Sequence, residues 1–125
     1  MRDRRSTGAG GLGEDPVLRV DAVGKARIVR LRGELDLYNA ERIRQGLEEA
    51  CAGDPGRIVI DLGEVDFVDS TALGVLIEAS KKLGDSRAFV LAAPGLETRR
   101  ALEISGLDQY FTLRDSVQEA LDAPI

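Results

Sequence analysis

Histidine and tryptophan are absent from this chain, and cysteine occurs once, at Cys51. A single thiol excludes an intrachain disulfide, and the missing imidazole removes most zinc sites and every Ser-His-Asp or Cys-His dyad. Long apolar runs are lacking too. The longest, such as Ala88 to Ala93 and Ala72 to Ile77, fall far short of the roughly 20 residues that a membrane-spanning helix needs. No Gly-x-x-x-x-Gly-Lys-Ser/Thr phosphate loop occurs. Positive charge is in deficit, with 17 Lys and Arg against 22 Asp and Glu and a net charge of -5. A chain that repels phosphate overall is a poor nucleic-acid binder, so a protein partner is the expectation.

What is present is globular. Hydrophobic residues make up 43% of the 125 and charged residues 31%, the balance of a folded protein with room for one core and one domain. Residues 1–16 begin with Arg2, Arg4 and Arg5 and continue as a Gly-rich polar stretch. Without an apolar segment this is no signal peptide, which predicts a cytoplasmic protein with a flexible tail over 1–16 and a single domain over 17–125.

Within the domain, Val17 to Val23 and Ala26 to Leu31 read as two strands joined by a turn at Gly24-Lys25. Asn39 reads as the N-cap of a helix carrying Ala40, Ile43, Leu47, Ala50 and Cys51 at helical spacing, up to Gly53-Asp54-Pro55-Gly56. Arg57 to Asp61 suits an interior strand, ended by Gly63. Asp69-Ser70-Thr71 then caps a second helix, with Ala72, Val75, Leu76, Ala79 and Leu83 toward the core and Gly84-Asp85 closing it. Ala88 to Ala92 reads as a strand, Leu96 to Ser105 as a helix closed by Gly106, and Tyr110 to Leu113 as a last strand. Asp115 to Ala123 forms a final helix with Val117, Ala120 and Leu121 inward. The alternation predicts an α/β domain with a mixed, partly parallel sheet of about five strands flanked by about four helices.

The second helix has an unusual outer face. Ser70, Gly74, Ile77 and Lys81 stand at i, i+4, i+7 and i+11, away from the core arc. Glycine at such a position weakens a helix by roughly 1 kcal/mol relative to alanine. Two explanations are open: another chain docks over Gly74 and touches Ile77, or Gly74 packs on a neighbouring loop of its own domain and Asp69-Ser70-Thr71 is only a cap. The remaining candidates have plainer explanations. Cys51 reads as a small buried hydrophobe. Asp61, Glu64, Asp66 and Asp69 form a carboxylate-rich connection that suggests magnesium but suits turns and caps better. Glu34 and Asp36 lack a pocket and a nucleophile for acid-base work. No enzymatic activity and no cofactor are expected.

Gly33-Glu34-Leu35-Asp36, Asp66-Phe67-Val68-Asp69-Ser70-Thr71-Ala72-Leu73-Gly74 and Ser105-Gly106-Leu107 resemble the STAS family of bacterial anti-sigma factor antagonists, from about Val17 to the C-terminus. The resemblance implies that Ser70 is phosphorylated by an anti-sigma factor that is itself a serine kinase. It further implies that the unphosphorylated chain binds this kinase and frees a sigma factor, and that a PP2C-type phosphatase restores it. Asp36 then falls beside Ser70, and Asp36, Asp69, Ser70, Thr71, Gly74, Ile77 and Lys81 form the partner-binding face. Stress response and sporulation are the settings such a family implies. Ala72 departs from the family's usual glycine, which bears on partner fit rather than on the fold. A second function within the resemblance is a scaffold subunit of a regulatory assembly or of a transport system. The intact Asp69-Ser70 favours the phosphorylated switch.

Overall fold

The computed structural model describes residues 14–84 and 88–124. Strand β1 (Val17–Val23) folds back on β2 (Ala26–Leu35) as an antiparallel hairpin, closed by the Val23–Ala26 pair across Gly24-Lys25. Gly24 holds φ +58 there, a value that costs glycine little. The chain then alternates: helix α1 (Ala40–Cys51), strand β3 (Arg57–Val68), helix α2 (Ser70–Leu83), strand β4 (Phe89–Ala92), helix α3 (Leu96–Ser105), strand β5 (Thr112–Arg114) and helix α4 (Val117–Asp122). The sheet order is β1-β2-β3-β4-β5, and every pair after the first is parallel.

The strands that lead to the top of the sheet are longer than their apolar runs predict. Gly63 does not end β3. Arg30 pairs with Asp61 and Arg32 with Glu64, so β3 carries one extra residue and bulges at Leu62-Gly63. The Asp61 carboxylate holds the bulge by accepting from the Gly63 N–H at 2.9 Å. A second register shift follows Gly33, at φ +77, and both strands run on to Leu35 and Val68.

Two other predicted boundaries also move. Tyr110 and Phe111 precede β5: their N–H groups bond the Leu107 carbonyl at 3.0 and 2.9 Å in a turn, and Phe111 packs its ring on Phe89. Helix α4 begins at Val117, because the Ser116 hydroxyl caps it by accepting from the Glu119 N–H at 3.0 Å.

The core has two unequal halves. Helices α1 and α2 bury Ile43, Leu47, Leu73, Val75 and Leu76 against Val29, Leu31, Ile58, Ile60, Leu62, Phe89 and Leu91, and Leu102 of α3 joins them. Each such side chain contributes about 1.5–3 kcal/mol. Leu73 is thus a core residue that helical spacing did not mark, whereas Leu83 is only half-buried. On the opposite face, Ala120 covers Ile28, Val59, Val90 and Ala92, with Val117 and Leu121 packed against them. Beyond α4 that face carries charge. Arg30 bridges Asp21 at 2.8 Å and Asp61 at 2.7 Å, and hydrogen bonds from Arg30 and then Arg19 hold the Asp21 carboxyl below its ordinary range.

Of the tail read over 1–16, residues 1–13 lie outside the described residues. The last part is attached to the domain: Pro16 accepts from the Arg32 N–H at 2.9 Å, and Asp15 pairs with Arg42 at 3.1 Å.

Candidate functional site

Because β2 and β3 run parallel and end together, the loop after β2 and the start of α2 meet at the C-terminal end of these two interior strands. Asp69 joins them. Its N–H donates to the Leu35 carbonyl at 2.9 Å. One carboxylate oxygen caps α2 by accepting from the Ala72 N–H at 2.9 Å, and the other accepts from the Leu37 N–H at 3.1 Å. Capping of this kind contributes about 1 kcal/mol, and the second bond fixes the loop against the helix.

The loop also closes on itself. Asp36 Oδ1 accepts from the N–H groups of Tyr38 at 3.0 Å and Asn39 at 3.2 Å. Asn39 accepts from the Asp36 N–H at 2.9 Å and donates to the Glu34 carbonyl at 2.8 Å. Asn39 therefore occupies the N-cap position of α1 but makes no side-chain cap. Its amide is turned back to hold the loop, which competes with capping for the same oxygen.

Ser70 is the first residue of α2 and is exposed, and its hydroxyl has no acceptor or donor among the described residues. The N–H groups of Ser70 and Thr71 likewise find no acceptor among them, so the helix begins with free donors. Thr71, Gly74 and Lys81 are exposed beside it, and Ile77 is half-buried, its inner side against the core. The stripe thus lies on the surface. A Cβ on Gly74 would meet nothing within 4 Å, so no loop among the described residues explains the glycine. Gly74→Ala is expected to raise stability by up to about 1 kcal/mol, read as a higher urea midpoint. A lower midpoint would show that the site is crowded.

The other candidates do not converge. Asp61 is engaged with Arg30 and the bulge, Asp69 with the cap and loop, and Glu64 and Asp66 point to solvent. Among the described residues no three His, Cys, Asp or Glu side chains stand together as a metal-ion cluster. Cys51 is half-buried between α1 and α2 beside Leu47 and Val75, and burial pushes its thiol up while Lys82 opposes the shift. A thiol so placed is a weak nucleophile.

Sequence reasoning missed the tip of the loop. Leu37 is 60% exposed and Tyr38 89%, and Phe67 at the end of β3 is 47% exposed beside Glu34. The available signal was two large apolar residues between Asp36 and Asn39, in a segment too short to bury them.

The family model described as STAS domain matches residues 18–120. The anti-sigma-F factor antagonist RsfB of Mycobacterium tuberculosis is 36% identical over 94 residues, which span 75% of this chain and 77% of RsfB. The crystal structure of an anti-sigma factor antagonist from Mycobacterium paratuberculosis is 33% identical, covers 83% of this chain and 89% of its own, and superposes with a TM-score of 0.77. The Bacillus cell fate determinant SpoIIAA in its phosphorylated form shares the fold, with 24% identity, 83% of this chain and 96% of its own covered, and a TM-score of 0.63. Domain match, sequence and fold agree: the chain belongs to the STAS-domain family of anti-sigma factor antagonists.

Proposed function

We propose that this antagonist is a switch set by phosphorylation of Ser70. Unmodified, it binds an anti-sigma factor serine kinase and frees the sigma factor that the kinase held. The kinase transfers the γ-phosphoryl group of ATP to Ser70 Oγ, the hydroxyl proton leaves with the catalytic machinery of the kinase, and the modified chain lets go. A PP2C-type phosphatase hydrolyses the phosphoester and resets it. The chain supplies the acceptor hydroxyl and the docking face, and acts in the cytosol beside the transcription machinery.

The observation that carries this reading is the exposed Ser70 hydroxyl, without a hydrogen-bond partner among the described residues, at the head of a helix whose next turn is opened by Gly74. An acceptor must enter another protein's active site, so it has to protrude with clear surface around it. Asp36 and Asp69 support it indirectly by holding the loop and the helix start in one arrangement. Thr71, Ile77 and Lys81 extend the face along α2.

The test is incubation with the purified kinase and ATP, followed by mass spectrometry and a binding measurement on the same sample. One phosphate at Ser70 and loss of the complex are expected. A phosphate mapping elsewhere, or a modified chain that binds as before, would remove the switch.

A further inference from the structure

We propose that Leu37 and Tyr38 are the apolar anchors of the interface with the anti-sigma kinase, and that they enter an apolar pocket of the kinase rimmed by basic side chains. This rests on the kinase-binding reading above and adds to it the residues and the chemistry of the partner surface.

Three observations converge. The first is exposure: Tyr38 at 89% and Leu37 at 60% are consecutive, and Phe67 at 47% lies near the end of β3, whereas the comparably exposed Leu96 and Ile104 stand eight residues apart on α3. The second is rigidity. Five hydrogen bonds hold residues 34–39, and one of them runs from the Leu37 N–H to Asp69, the residue before Ser70. A preorganised loop loses little entropy on binding, and tyrosine gives large contact area for few rotatable bonds. The bond to Asp69 also places the tip next to the phosphoacceptor, so a partner that reaches Ser70 meets the tip as well.

The third observation is charge. Many acids have a basic partner, as Asp15 has Arg42, Asp21 Arg30, Glu78 Arg44, Glu48 Lys82 and Asp115 Arg99, and those without one among the described residues outside the tip, Glu49, Asp54, Glu103, Asp108, Glu119 and Asp122, are spread over α1, α3, α4 and two turns. Near the tip such acids are grouped. Among the described residues Glu34, Asp36, Glu64, Asp66 and Asp69 form no ion pair, although all lie at the ends of β2 and β3 or just beyond. Five carboxylates without an ion pair among the described residues, grouped at the strand ends that carry the apolar tip, fit a partner with basic residues around an apolar recess. They disfavour a second copy of this chain, because self-docking would bring like charges together.

The experiment uses the full chain and a purified anti-sigma factor serine kinase. Tyr38→Ala is expected to weaken binding about 10- to 100-fold and Leu37→Ser about tenfold. Tyr38→Phe, which keeps the ring, should stay within about threefold of wild type. Melting should not change in any of these, because both side chains are exposed. Glu64→Gln with Asp66→Gln should slow association and flatten its salt dependence while leaving dissociation nearly unchanged. Wild-type affinity and phosphorylation rate in Tyr38→Ala would overturn the anchor, and association indifferent to salt would overturn the basic rim. A concentration-dependent dimer that Tyr38→Ala abolishes would reassign the tip to self-association. A wild-type chain that the kinase neither binds nor modifies would bring down the kinase reading itself. Tight wild-type binding with no phosphate on Ser70, lost in Tyr38→Ala, would keep the anchor and discard the switch.

Discussion

Arg57→Ala is expected to lower the stability of the fold by about 2–4 kcal/mol and to leave affinity for the partner unchanged in the protein that remains folded. Arg57 begins β3 and is only 9% exposed. Its guanidinium donates to the carbonyls of Ala120 and Ala123, and to that of Leu121 at 3.0 Å. These are carbonyls at the C-terminal end of α4, which the helix itself leaves without partners. Six residues are too few for a helix to persist alone, and the last turn of α4 holds no basic residue of its own. One side chain from another element therefore closes it. Removing that side chain strands the carbonyls and loosens Ala120 from Ile28, Val59, Val90 and Ala92. Arg57→Lys keeps the charge but not the planar fork, so an intermediate loss is expected. Urea unfolding followed by circular dichroism measures both. A loss under about 0.5 kcal/mol for Arg57→Ala, in the range of ordinary surface changes, would show that α4 does not depend on this contact. Partner affinity should hold because the candidate site lies at the other end of β3.

The role of Arg57 was not legible in the sequence, and the reason is general. Its partners lie 63 to 66 residues away, and nothing local marks an arginine at the head of an apolar strand as a helix cap. Element order was legible, because α1 and α2 repeat apolar residues at helical spacing and β4 is a short, fully buried apolar run. Strand ends were not. Glycine read as a terminator at Gly63 is a bulge, since a parallel neighbour continues past it and Asp61 supplies the missing acceptor. Asn39 shows the same limit in a side chain: position predicted a cap, but competition from the loop decided the hydrogen bond. Ser70, Gly74 and Lys81 were legible because one helix sets their shared face, whatever the tertiary structure. Leu37 and Tyr38 were not, because exposure in a loop depends on neighbours that only the fold brings together.

Phosphorylation of Ser70 is expected to weaken partner binding by about 100-fold or more while leaving the fold in place. A phosphoserine carries about -1.5 to -2 charges at neutral pH. At the first residue of α2 it meets the free N–H groups of Ser70 and Thr71 and the positive end of the helix, which accommodate an anion without disturbing the core. Melting of the phosphorylated chain should therefore stay near that of the unmodified one. The interface has no such relief. Binding would bury a dianion against a partner surface fitted at Ser70 to a neutral hydroxyl, while the partner's basic rim is taken up by Glu34, Asp36, Glu64 and Asp66 around the loop tip. Ser70→Ala should bind the kinase persistently and take no phosphate. Ser70→Asp, with less charge and fewer acceptor oxygens, should lose about tenfold in affinity and remain folded. Gly74→Arg should also weaken binding with little effect on folding, since the side chain projects into open space above the same face. Calorimetric titration of the five proteins, unmodified, phosphorylated and the three variants, against one kinase preparation, with melting curves in parallel, gives the ordering. Equal affinities for the phosphorylated and unmodified chains, or a phosphorylated chain that unfolds, would end the case for a surface switch at Ser70.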